Sequence, residues 1–130
     1  MNPQVIHLIM CDRAYRDPRN FLRTNVNGIQ VRLRAQKPPP VAHDCHVLAM
    51  LAGFAGTGEF QVRVVDEATS QIVYQGPRLP VRFPHDPEEV HSIRFEIIRC
   101  PLPRHGRHRL ELVLDNKVIA IRPFWLVPRV

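Results

Sequence analysis

The chain has 130 residues and 45% hydrophobic composition, which fits one globular domain, here residues 1–130, and argues against disorder. Its formal charge of +6 comes almost wholly from arginine, Lys37 and Lys117 being the two lysines, and no apolar run approaches the roughly 20 residues that a membrane span needs. Thirteen prolines exclude a helical bundle, because each interior proline removes a helix hydrogen bond and clashes with the turn before it.

The opening "MNPQVIHLIMCD" carries no basic leader and no small-residue cleavage site. Val5 to Cys11 therefore reads as a first strand, in a protein expected to stay in the cytoplasm and to have no membrane contact. "RAYRDPRNFLR", residues 13–23, follows as an arginine-rich loop. Arg13, Arg16, Arg19 and Arg23, with Tyr15 and Phe21 interleaved, are the residue types that neutralise phosphate and stack on bases. The plainer alternative is a solvated loop in which Asp12 and Asp17 partner the arginines. Ile29, Val31 and Leu33 then alternate with Gln30, Arg32 and Arg34 as a half-buried strand, and "KPPPV" reads as a stiff crossover between sheets.

"HDCH" sets His43, Asp44, Cys45 and His46 in a row. In an extended chain His43 and Cys45 face one way and Asp44 and His46 the other, so at most two reach one ion, and neither a metal nor another cofactor is expected. "CHVLAMLAGF", residues 45–54, suits either a helix with Val47, Met50, Leu51 and Phe54 on one face or a central strand covered on both faces. The all-β context selects the strand.

Phe60, Val62 and Val64 alternate with Gln61 and Arg63, and this run pairs with residues 72–75 through the polar "DEATSQ". "PRLP", residues 77–80, is a second stiff crossover. "PHDPEEV", residues 84–90, fits one helical turn, with Asp86 as cap, Pro87 at the first helical position, and Glu88 and Glu89 at the positive end of the dipole. That account uses the carboxylates near His85 and His91 without invoking catalysis. Ile93, Phe95 and Ile97 alternate with Ser92, Arg94 and Glu96 in a further strand. The closing "HRLELVLDNKVIAIRPF" is a β-hairpin turning at Asp115-Asn116.

Cys11, Cys45 and Cys100 are an odd number at wide spacings among apolar neighbours, so they read as small buried hydrophobes. No Gly-x-Ser-x-Gly elbow, phosphate-cradling glycine loop or His-Glu-x-x-His occurs, and no enzyme is expected.

"IMCD", "NVNGIQV", "VRVVDEATSQIVYQG" and "PLPRHGRHRLELVLDNKVIAIRPF" together resemble a bacterial family of uncharacterised, immunoglobulin-like β-sandwich proteins. Its members share a Cys-Asp after the first strand and a closing Leu-x-Leu-x-Leu-Asp hairpin, with Asn116 here where a turn glycine is usual. The resemblance implies a fold and no activity.

The expected fold is all-β, a two-layer immunoglobulin-like sandwich of about 7–9 strands with at most one short helical turn. The expected function is a non-enzymatic interaction or assembly module that binds a protein partner or, more simply, itself. Ile119, Ile121, Phe124 and Trp125 of the last strand form the expected self-association surface of a homodimer. The alternative is binding of nucleic acid or another polyanion through Arg13, Arg16, Arg19 and Arg23.

Overall fold

A computed structural model describes residues 3–19, 23–53, 55–83 and 89–128. Ten strands occur among them: β1 (Gln4–Arg16), β2 (Thr24–Ile29), β3 (Arg32–Arg34), β4 (Val41–Ala52), β5 (Gly56–Asp66), β6 (Gln71–Gln75), β7 (Leu79–Phe83), β8 (His91–Leu102), β9 (Gly106–Leu114) and β10 (Lys117–Val127). They form a β-sandwich. One sheet runs β2-β1-β4-β8; the other runs β3-β10-β9-β5-β6, with β7 also on β5. The helical turn expected over 84–90 lies mainly outside the described residues.

The alternating runs fill the space between the sheets. Ile93, Phe95 and Ile97 of β8 meet Phe60, Val62 and Val64 of β5 and Leu110, Leu112 and Leu114 of β9 in one core cluster. The closing hairpin turns on Asp115 and Asn116, with φ of 47° and 69°, the two left-handed residues that match the twist of the flanking strands. The "DEATSQ" hairpin forms as expected between β5 and β6, its turn held by Asp66, which accepts from the Ala68 N–H at 3.1 Å and pairs with Arg104.

β4 is a strand, as its context required. Cys45, Val47, Ala49 and Leu51 enter the main core, while Leu48, only 3% exposed, faces the other way. Its cover is an arm made by the second half of β1 and by β2: Cys11 and Ala14, with Ile9, Val26 and Met50, pack around Leu48. Burial on both faces explains why this strand is apolar without alternation.

Three expectations are corrected. The stretch from Ile29 to Leu33 is not one half-buried strand: Ile29 and Val31 are 66% and 51% exposed, and the chain changes sheets between β2 and β3. The Gln30 N–H donates to the Met10 carbonyl, and the Val31 carbonyl then accepts from Trp125, so consecutive residues serve opposite layers. This split, together with the short β7, gives ten strands where 7–9 were expected. Residues 13–23 are not all loop either. β1 continues to Arg16, and the reversal is tightened by the Arg19 N–H on Asp17 Oδ1 and the Asp17 N–H on the Arg23 carbonyl, both at 2.8 Å. Finally, "PRLP" makes no crossover but runs into β7 on the same sheet, whereas "KPPPV" does cross, from β3 to β4.

Candidate functional site

β8 is the edge of its sheet, hydrogen-bonded to β4 alone among the described strands. Its inward residues pack in the core, while Ser92, Arg94 and Glu96 stay exposed. Opposite it stand β6 and β7, which belong to the other sheet, and the flank between them is a groove. One part, about 430 Å³, is lined by Ala14, Arg16, His46, Ser92 and Val81. A second part, about 370 Å³, is lined by Val62, Tyr74, Pro77 and Ile98. Leu79, Arg94, Phe95 and Glu96 border both, so the two parts are continuous.

The groove differs in chemistry from end to end. The second part is apolar, floored by Val62 and Phe95 and edged by Ile98, which is 55% exposed. Tyr74 closes this end by accepting the Ile98 N–H, and burial pushes its phenol up from the ordinary value. The first part is basic, because the arm over β4 brings Arg16 beside Arg94. His46 is fixed there by the Ala14 N–H, which donates to Nδ1 at 3.0 Å. The neutral ring must therefore carry its proton on Nε2, leaving a donor at the cleft.

All ion pairs among the described residues lie on the other sheet and its turns. Arg63 and Arg109 hold Glu111 at 2.5 and 3.2 Å, Arg107 and Arg109 meet Glu67, Arg104 meets Asp66, and Arg78 meets Glu59. Glu111 is 4% exposed beneath the Arg63 and Arg109 guanidinium groups. Among the described residues Arg13, Arg16, Arg19 and Arg23 make no such pair. Nor do they converge: Arg13 lies over the Tyr15 ring at 5.0 Å, and Arg16 alone of the four lines the groove.

The "HDCH" residues disperse. The His43 Nε2–H donates to Gln30 Oε1 at 3.0 Å, and the Gln30 amide donates to Asp12. This chain ties the Cys-Asp motif to the sheet switch, and a Cβ at Gly28 would collide with the Asp12 carboxylate. Burial lowers the His43 pKa against the opposing pull of Asp12 and Asp44. Asp44 accepts the Arg99 N–H at 2.6 Å within a bulge, Cys45 enters the core, and His46 serves the groove. Burial pushes the Cys45 and Cys100 thiols up to about 12, and raises that of Cys11.

The expected self-association residues separate as well. Phe124 is 3% exposed and stacks on His108 in the core, which removes it from any surface role. The inward face of β10 needs an apolar residue there to seal the sandwich beside Leu110. Ile119 packs partly against the core, Trp125 is half-buried beneath Arg107, and Ile121 is exposed. Ile121 lies across from Glu111 on the outer face of its sheet, whereas Ile29 and Val31 line a small cleft with Arg122 and Pro123. β3 pairs with β10 over Trp125–Val127, so among the described residues no strand pairs with Lys117–Pro123 on that side.

Sequence reasoning missed His46, Tyr74 and Arg94 as groove residues. The alternation placed Arg94 on an exposed face, but nothing local signalled that β7 would stand beside β8.

A family model matches residues 6–127. The chain belongs to DUF6941, a family of unknown function. No curated protein matches this DUF6941 chain. Among solved structures it is similar to a beta-glucosidase from Listeria innocua in complex with glucose, at 15% identity and a TM-score of 0.51 over 75% of this chain and 15% of that one. A further structure of that enzyme gives 13% identity and a TM-score of 0.52 over 95% of this chain and 16% of the other. Such identities speak to the fold alone, and the DUF6941 chain spans about a sixth of the glucosidase's length.

Proposed function

We propose that this protein is a non-enzymatic assembly module that pairs with a second copy along the free half of β10. The observation that carries this reading is the edge over Lys117–Pro123, which no described strand pairs on that side, with the exposed Ile121 on it and the exposed Ile29 and Val31 beside Arg122 and Pro123. Unpaired backbone groups beside apolar side chains are a surface that a folded protein normally covers, and a two-fold axis covers it with one extra copy. Pro123 and the bulge between Val118 and Ala120 interrupt the ladder, which favours a closed pair over an open-ended stack of strands.

We also read the sandwich as immunoglobulin-like and cytoplasmic. The order β1-β4-β8 over β10-β9-β5 matches strands A-B-E over G-F-C of that fold, and three unpaired, buried cysteines suit a reducing compartment. Sedimentation at tens of micromolar tests the assembly, since a specific interface of roughly 1,600 Å² is normally occupied at that concentration. The expected result is a dimer that Ile121→Glu and Val31→Glu each convert to a folded monomer. A monomeric wild type overturns the reading.

A further inference from the structure

We propose that the groove along β8 docks an extended, acidic segment of a partner protein, added to the sheet as a strand. The site is distinct from the β10 edge. Ser92 to Ile97 offers about 20 Å of unpaired strand edge at roughly 3.3 Å per residue, enough for six residues of a bound chain. Both ends of this stretch are defined. Beyond Ile97 the Tyr74 hydroxyl occupies the Ile98 N–H, and Arg99, with φ of 52°, turns its own N–H onto Asp44. Before Ser92, the His91 ring packs on Phe83 at 4.8 Å.

Side chains of an incoming strand alternate between the two faces of the sheet. Those facing the sandwich meet Leu79, Phe95, Val62 and Tyr74, an apolar trough left open because β6 and β7 pair with β5 rather than with β8. Those facing outward at the other end meet Arg16, Arg94 and the His46 ring, with Ser92 as a neutral donor and Glu96 as the one carboxylate. Neither Arg16 nor Arg94 has an ion-pair partner among the described residues, so carboxylates arriving there would be the first to neutralise them. Two planar guanidinium groups favour carboxylate by bidentate hydrogen bonding.

Charge decides between occupants. A second copy of this chain, itself at +6, would be repelled from the basic end. A nucleic acid would find phosphate partners there but only apolar surface over the adjoining half, whereas a peptide uses both halves and the strand edge.

Selection from a displayed library of random twelve-residue peptides on the immobilised full chain, followed by fluorescence anisotropy of the selected peptides, tests the proposal. The expected peptides alternate apolar residues and carry carboxylates toward one end, with micromolar Kd. Arg16→Glu with Arg94→Glu should weaken them at least tenfold at an unchanged melting temperature, and N-methylation of alternate peptide amides should abolish binding. Ile121→Glu should leave binding unchanged, which separates this site from the dimer contact. The proposal is overturned by absence of enrichment, by selected peptides that lack acidic residues, or by binding indifferent to the Arg16 and Arg94 changes. Equal or tighter binding of a twelve-residue oligo-dT, lost in the same double variant, would assign the groove to nucleic acid and overturn it too.

Discussion

Replacing Leu48 by alanine asks directly whether the β1–β2 arm covers the outer face of its sheet. Leu48 is 3% exposed, yet it points away from the main core, so its burial depends on Cys11, Ala14 and Val26 of the arm. Removing three buried carbons costs about 2.4 kcal/mol in transfer free energy at roughly 0.8 kcal/mol each. A residual cavity adds to this, although an arm settles into the space more readily than a sheet does, which puts the total at about 3 kcal/mol. For a chain of this size that is a fall in melting temperature of about 10 °C, at roughly 3–4 °C per kcal/mol. Urea unfolding followed by circular dichroism measures the change, with Ile98→Ala as the exposed control, expected within about 0.5 kcal/mol of wild type. If Leu48→Ala costs no more than that control, the outer face is open. The arm then fails to position Arg16 over β8.

Stability should fall as pH drops below about 6.5. Burial lowers the His43 pKa from the ordinary imidazole value of about 6.5, so below that value the unfolded chain binds the proton that the folded chain resists. The stability is fully present above 6.5 and declines toward the depressed folded value; unfolding free energies across pH 5–8 in wild type and His43→Gln check this, with a flatter profile expected in the variant. Native protein should also resist thiol labelling at pH 8, because Cys11, Cys45 and Cys100 are buried and all three thiols are raised. Three equivalents should react with Ellman's reagent in guanidinium, and rapid reaction of any thiol before unfolding would contradict the burial.

The sandwich was legible because period-two alternation in β8, and at Leu110, Leu112 and Leu114, records which side of a strand meets the core. The turn at Asp115-Asn116 was legible for a similarly local reason. What escaped was decided between segments far apart in the chain. The burial of Glu111 beneath Arg63 and Arg109 depends on a strand from elsewhere in the chain, and Phe124 looked available until β10 was seen to need it inward. Ile29 to Leu33 carried a faithful alternation, but no residue there announces that its hydrogen bonds go to two different layers. The groove follows the same rule: Arg94 was visible as an outward residue, whereas the neighbours that make it part of a cleft arrive from β1, β4 and β7.

The sheet switch at Gln30–Val31 makes the two flanks of the sandwich mechanically unequal. On that flank the backbone itself passes from one layer to the other and is hydrogen-bonded on both sides of the step, to Met10 and to Trp125. On the opposite flank the chain also passes between the layers, from β7 to β8, and among the described residues the Tyr74 hydroxyl bonds across to the Ile98 N–H. Parting the layers at the switch would break two backbone hydrogen bonds, whereas the described hydrogen bond across the layers beside β8 is made by the Tyr74 hydroxyl.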